Sequence, residues 1–317
     1  MKRLFAAFAA ALLLAGGASA QTYPSRPIKL VYPFLPGPSD AALRLVTTAM
    51  ASDLGQPVVI ENKSGANGRL GTAAVVAAAP DGYTLLVTAA GSITIGPQLE
   101  TVPYDPFKDL RPVTQLLTYD AVLVVNNKFP ASNFQEFVAQ LKAAPKKYSF
   151  GTAGTGGAQH IAGELLKDAL GIEMTHVPYR GDIAALTDVI GGQIPMAISA
   201  MGSVSQFIAA GTLRPIATFG ATRFPTFPDL PTISEQGLPG FRGGTWLGLF
   251  VPAGTPDAVL ERIRKAAAKA LANETVRKQL AEGGAHVVGN SPKEFEAYLK
   301  EEYQRYGKIL KSGKVEK

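Results

Sequence analysis

Two glycine- and proline-rich loops hold the residues best suited to gripping a small anion. One is Pro36-Gly37-Pro38-Ser39-Asp40, and the other is Gly151-Thr152-Ala153-Gly154-Thr155-Gly156-Gly157. Each leaves a strand-like run and opens a helix-like one. Glycine lets backbone N–H groups approach a ligand closely, and a helix start adds unpaired donors and partial positive charge. Charge-assisted hydrogen bonds are worth about 1.5–3 kcal/mol each and the helix dipole about 0.3–1 kcal/mol, so local donors would dominate such a grip. The same residues also suit ordinary turns and helix caps, with Ser39 or Asp40 only capping.

Other chemistries find less support. Gly151 and Gly156 have the P-loop separation, but Gly157-Ala158 stands where Lys-Ser/Thr is required, and Gln159 breaks a GxGxxG run. There is no GxSxG elbow and no HExxH, and the three histidines, His160, His176 and His286, are far apart in sequence. His160 and Glu164 share one predicted helix face, a weak metal pair and a common structural one. A hydrolase using His160 and a cleft hydroxyl is the competing enzymatic reading, with no third member identified. The expectation is a protein with no catalytic residues, no metal and no cofactor.

The elements that must present these loops alternate along the chain. Ile28 to Phe34 reads as a buried strand, followed by a helix that stops at Gly55, a strand at Pro57 to Glu61, a helix halted by Pro80-Asp81-Gly82, and a third strand. Strands alternating with helices predict mainly parallel sheets covered on both faces. Proline breaks the pattern at Val102 to Pro112 and again at Arg223 to Thr232. Between these breaks, helices are expected near Phe134 to Ala143, Ala158 to Leu170, Ile183 to Ile190 and Val204 to Ala210. This reads as an α/β chain of two lobes: residues 21–123 with 222–317, and residues 124–221 inserted between them. Ligands of open α/β sheets bind at the carboxyl ends of strands, which puts the site in the cleft.

Composition excludes several classes. Residues 1–20 carry Lys2 and Arg3, an apolar run from Leu4 to Ala15 and small residues ending at Ala20. They read as a signal cleaved after Ala20, the run being shorter than the roughly 20 residues a bilayer span needs. A periplasmic location follows. With no cysteine, neither disulfides nor thiolate metal sites are available. The formal charge of +6 falls to +4 without Lys2 and Arg3, and the surplus is spread out, unlike the basic stripe of a nucleic-acid binder.

Longer segments bear a resemblance. YPSRPIKLVYPF, VIENKSGANGRLGT, AAPDGYTLL, PYDPFKDLRPV, FGTAGTGGAQHIAGEL, HVPYRG, ALTDVIGGQI, AGTLRPIA, FPDLPTISEQGLPGF and WLGLFVPAGTP resemble the extracytoplasmic receptors of tripartite tricarboxylate transporters, the Bug-type proteins. The resemblance implies a two-lobe, type II-like periplasmic-binding-protein fold. It also implies closure on a small organic carboxylate, an aliphatic di- or tricarboxylate or an aromatic acid, and delivery to transporter subunits in the membrane. A sensor protein is the alternative partner. It further implies that Phe34 to Asp40 (Phe34, Pro36, Gly37, Ser39, Asp40) and Thr152 to Gln159 (Thr152, Gly154, Thr155, Gly156, Gly157, Gln159) meet across the ligand. Thr88, Ser92, Tyr119, Tyr179, Ser199 and Ala200 match further cleft segments. Each of these last has a structural reading too: Tyr179 as a core ring, Ser199 as a strand-end cap.

Several departures from the family pattern bear on the ligand. The first loop is a residue short and has proline where glycine is expected, which stiffens it and removes a donor. Tyr119-Asp120 replaces a common Pro-Asn. Ser199 stands where an acid is common, which implies a ligand without an amino group. Arg69 replaces an asparagine and is either a second carboxylate contact or a surface cation. Phe34, Tyr119, Tyr179 and Trp246 either frame an aromatic acid or pack the lobes, Trp246 being the best core candidate.

Overall fold

Apolar strands and amphipathic helices alternate through the computed structural model, which describes residues 23–311. The expected signal and the cleavage after Ala20 lie outside the described residues. The chain begins with β1 (Ile28–Tyr32), α1 (Pro38–Leu54), β2 (Val58–Asn62), α2 (Arg69–Val76), β3 (Thr84–Thr88) and a short α3 (Gly96–Leu99). Helix α1 buries Leu43, Val46, Met50 and Leu54, one stripe at helical spacing, and stops where Gly55 turns left-handed at φ 74°. Each such buried side chain contributes about 1.5–3 kcal/mol.

The long β4 (Leu110–Asn126) follows, then α4 (Phe134–Ala143), β5 (Ser149–Thr152), α5 (Ala158–Leu170), β6 (Thr175–Pro178), α6 (Asp182–Gly191), β7 (Met196–Ala200), α7 (Met201–Ala209) and β8 (Leu213–Thr218). Asn133 caps α4 by accepting the Glu136 N–H at 2.9 Å, and Glu136 accepts the Ser132 N–H at 2.7 Å. The chain ends with β9 (Gly244–Pro252), α8 (Asp257–Ala272), α9 (Glu274–Glu282), β10 (His286–Val287) and α10 (Pro292–Lys311).

The strands run in the order β2-β1-β3-β9-β4-β7-β5-β6, with β8 and β10 also on β4. Strand β1 is parallel to β2 and β3, and β5 is parallel to β6 and β7. The middle departs from the mainly parallel expectation. Strand β9 is antiparallel to both β3 and β4, and β4 is antiparallel to β7 and β8. The cause is connectivity. The chain leaves the first sheet region along β4 and returns beside it along β9, so Leu110 faces Pro252 and Asp120 faces Gly244. Strand β4 is continuous, pairing with β9 up to Asp120 and with β7 and β8 from Ala121 and Val122 onward.

Apolar layers cover both regions. Leu30, Leu43, Leu85, Leu249 and Ile263 pack on one side of the first, and Val31, Ile93, Trp246, Phe250 and Phe295 on the other. Trp246 is core, as expected: its Nε1 donates to buried Glu302 at 2.9 Å and its ring meets Phe295 edge-on. Phe137, Phe150 and Ile198 on one side, with Val124, Leu186 and Val204 on the other, cover the second region.

Candidate functional site

The first loop runs from the end of β1 into α1 without a side-chain cap. Gly37 is the N-cap in extended backbone, Pro38 sits at N1, and the Ala41 N–H closes the first turn on the Gly37 carbonyl at 2.9 Å. Proline at N1 has no N–H to lose, so the amides of Ser39 and Asp40 are the first-turn donors without a helical acceptor. The capping expected of Ser39 or Asp40 does not occur.

Asp40 is buried and faces inward: it accepts from Arg44 Nε at 2.8 Å and from Asn62 Nδ2 at 3.0 Å. The same Asn62 amide donates to the Phe34 carbonyl at 3.1 Å. The Asp40 carboxylate thus fastens the loop to β2. Pro36 and Gly37 are exposed. The Phe34 ring is half-buried, 5.2 Å from the Tyr32 ring, and so close to Gly68 that a Cβ there would stand 3.2 Å from Phe34 Cζ and 3.3 Å from Thr88 Oγ1. Thr88 and Ser92 are buried and joined by a 2.7 Å hydroxyl bond.

The second loop joins β5 to α5. Gly154 and Gly156 have φ of 148° and 73°, which only glycine adopts without strain. The Gly156 N–H donates to His160 Nδ1 at 3.1 Å, and α5 starts at Gly157 with no other side-chain cap. In the neutral ring that bond leaves the proton on Nε2. Burial lowers the His160 pKa to about 4, and burial with His160 alongside lowers that of His176 to about 3. The two rings stack at 3.9 Å, and His176 Nε2 shares a 2.7 Å hydrogen bond with Thr152 Oγ1. Glu164, 3.9 Å from His160, accepts from Lys167 at 2.8 Å. His160 therefore acts as a loop support with its basic nitrogen already engaged. Among the described residues no group of three or more His, Cys, Asp or Glu is placed to hold a metal ion.

The second loop is met by a residue that sequence reasoning passed over, whose neighbour Gly68 lies against Phe34 of the first. Asn67, at φ 50°, donates from Nδ2 to the Thr155 carbonyl at 3.4 Å and packs against Gly91. A Cβ on Gly157 would stand 3.5 Å from Asn67 Nδ2 and 3.8 Å from Gln159 Oε1, so Gly157 and the buried Gln159 share this contact. The run Ser64-Gly65-Ala66-Asn67-Gly68 is dense in turn formers and was the available signal.

A second group gathers where the sheet regions join. Ser39 lies within reach of the Tyr32 and Tyr119 hydroxyls. Tyr119 and Ser199, 2% and 1% exposed, have hydroxyls without a hydrogen-bond partner. Beside Ser199 and near Tyr32 is Asp182, the first residue of α6, also unforeseen from sequence. Its Oδ2 accepts from Ser203 at 3.0 Å and its shielded Oδ1 has no partner. Burial pushes this carboxyl above its ordinary range, opposed by Ser203, Ser199 and the Ala200 N–H. Ser199 thus replaces an acid at one position while Asp182 brings another beside it.

The remaining expectations resolve as follows. Tyr179 packs within the second region, its hydroxyl donating to Asp188 at 2.7 Å, and only its carbonyl approaches Gly154. Its ring lies against the second loop, where a Cβ on Gly151 would stand 3.2 Å from Cε2. Arg69 pairs with Glu100 at 2.8 Å. Asp120 faces His286 at 3.2 Å, which raises the pKa of that histidine.

The model of the tripartite tricarboxylate transporter family receptor matches residues 42–314. Protein BugT of Bordetella pertussis is 33% identical over 317 residues, covering 98% of this chain and 97% of BugT. The structure of R. palustris Rpa4515 with adipate superposes with a TM-score of 0.85 at 29% identity, covering 91% of this chain and 97% of that one. MatC of Rhodopseudomonas palustris with bound malate gives a TM-score of 0.84 at 32% identity, covering 91% and 100% of the two chains. Alike in sequence and fold along nearly all of its described length, the chain belongs to the tripartite tricarboxylate transporter family receptors.

Proposed function

We propose that this protein captures a small organic carboxylate between two lobes, residues 21–123 with 222–317 and residues 124–221, and delivers it to a membrane transporter of the tripartite type. It works in the periplasm, exported by residues 1–20. The relatives crystallised with adipate and malate support the carboxylate class. What supports the reading is a pair of helix starts without a helical side-chain cap, α1 and α5, whose loops are both reached from the turn at residues 64–68: Gly68 lies against Phe34, and Asn67 donates to Thr155.

The amides of Ser39 and Asp40 on one side and of the α5 first turn on the other hold the carboxylate oxygens. Each charge-assisted bond is worth about 1.5–3 kcal/mol. Phe34 covers the anion, and the Thr88–Ser92 pair backs that wall. The lobes close because the ligand binds the closed form more tightly than the open one. No bond is made or broken: His160 and His176 support the loop, and the acid leaves unchanged.

Calorimetry with adipate and L-malate tests this on the wild type and on Gly157→Val. Gly157 has ordinary backbone at φ −81°, so valine fits the chain while filling the space beside Asn67. The expected result is a loss of affinity of about tenfold or more at an unchanged melting temperature. Equal affinity in both proteins would remove the glycine loop from the site, and conversion of either acid, followed by mass spectrometry, would overturn the receptor reading.

A further inference from the structure

We infer that Asp182, Ser199 and Tyr119 form a polar subsite for a hydrogen-bond-donating substituent, hydroxyl or ammonium, on the carbon skeleton of the captured acid. This rests on the carboxylate reading above and assigns a substituent on the ligand's carbon frame.

Buried polar groups are almost always paired, and an orphaned one costs about 1–3 kcal/mol. Here Ser199 adjoins Asp182, and the Tyr32 hydroxyl lies near both Asp182 and Tyr119. Tyr119 and Ser199 are almost wholly buried with unpaired hydroxyls, and Asp182 Oδ1 is shielded and unpaired. They come from separate elements: the middle of β4, the end of β7 and the start of α6. Tyr32 and Ser39, at the end of β1 and the start of α1, adjoin them, which ties the group to the first loop. Such convergence of unsatisfied atoms at a junction is what a ligand group would resolve.

The chemistry of the three selects the substituent. Ser203 already occupies Asp182 Oδ2, so Oδ1 is the open acceptor. Among the described residues no cationic side chain pairs with Asp182. A ligand hydroxyl or ammonium donates to Oδ1, and a hydroxyl also accepts from Tyr119 or Ser199. A second ligand carboxylate would instead set a like charge against Asp182. Tyr179, expected at the site, takes no part in this group because Asp188 holds its hydroxyl.

Calorimetry at pH 7 with succinate, L-malate and L-aspartate isolates the substituent, since these acids share a four-carbon frame bearing hydrogen, hydroxyl or ammonium. Wild-type protein is expected to prefer malate or aspartate over succinate by about tenfold or more. Tightest binding of malate identifies a hydroxyl site and tightest binding of aspartate an ammonium site. Asp182→Asn, which keeps the volume, should bring the three affinities within about twofold of one another. Tyr119→Phe removes only an orphan hydroxyl and should weaken malate while sparing the melting temperature. Succinate binding tightest to the wild type, or an equal loss for all three acids in Asp182→Asn, would overturn the assignment. Binding of none of the three would also overturn it, while the adipate titration and Gly157→Val would still decide the carboxylate reading.

Discussion

The two strand-to-helix loops are held by opposite means. The first is stiffened covalently, by Pro33, Pro36 and Pro38, and tied down by the buried Asp40 carboxylate, which accepts from the exposed Arg44 and from the Asn62 amide. The second is free in its covalent geometry, with Gly154 and Gly156 at positive φ, and is supported from behind by the stacked His160 and His176. A proline loop needs few contacts because φ is already set, whereas a glycine loop loses more entropy on ordering and needs a firm backing. The proposed anion site thus depends on charge pairing on one side and on uncharged imidazoles on the other.

Acid should separate the two supports most strongly. Both histidines are neutral in the fold, with pKa lowered from 6.5 to about 4 and about 3. The unfolded chain takes up these protons first, so their stabilisation is full above pH 6.5 and is lost as pH falls toward 4 and then 3. At pH 5 the loss is roughly 2 kcal/mol per histidine. His286 works the other way: its raised pKa gives stability that is present below pH 6.5 and fades above its folded value. Urea titrations from pH 7.5 to 4.5 should show a net fall, removed in a His160→Gln, His176→Gln double variant. A flat profile would mean that the stack does not support the fold.

His160→Ala should come next, costing about 3 kcal/mol through the lost bond to the Gly156 N–H and the cavity left behind. Asp40→Ala should cost about 1 kcal/mol through the lost Asn62 hydrogen bond, since Arg44 is exposed and Asn62 keeps its bond to Phe34. Both are read by urea unfolding. The comparison sharpens if the His160 variant loses ligand affinity through a mobile second loop while Asp40→Ala loses it through the first. The smallest effect belongs to Pro38→Ala. It restores an N–H at the first helical position but frees the unfolded chain, so stability should drop by about 0.5 kcal/mol with little change in binding. A loss above about 2 kcal/mol would show that this proline does more than set φ.

How far the sequence could be read follows from the same contrast. The bounds of α4 and α5 coincide with the expected ones, because Asn133 and Gly171 punctuate an apolar stripe that local pattern reveals. Both loops were legible as strand-to-helix turns. Their orientation was not: whether Asp40 points at a ligand or at Asn62 depends on a strand 22 residues away. Likewise Asn67 reaches Thr155 across 88 residues, and Asp182 gains meaning only beside Ser199 and Tyr119. The antiparallel β4–β9 pair was hidden for a related reason, since periodicity marks a strand without naming its neighbour. The inserted region forces the return path, and with it the pairing.

The grip from both loops is tested most directly by a crystal structure of this protein with L-malate or adipate. The account predicts that carboxylate oxygens lie within about 3.2 Å of the Ser39 or Asp40 amide and, in the same complex, of an amide in the first turn of α5. A carboxylate held by only one of the two helix starts, with the other turned to solvent, would contradict it.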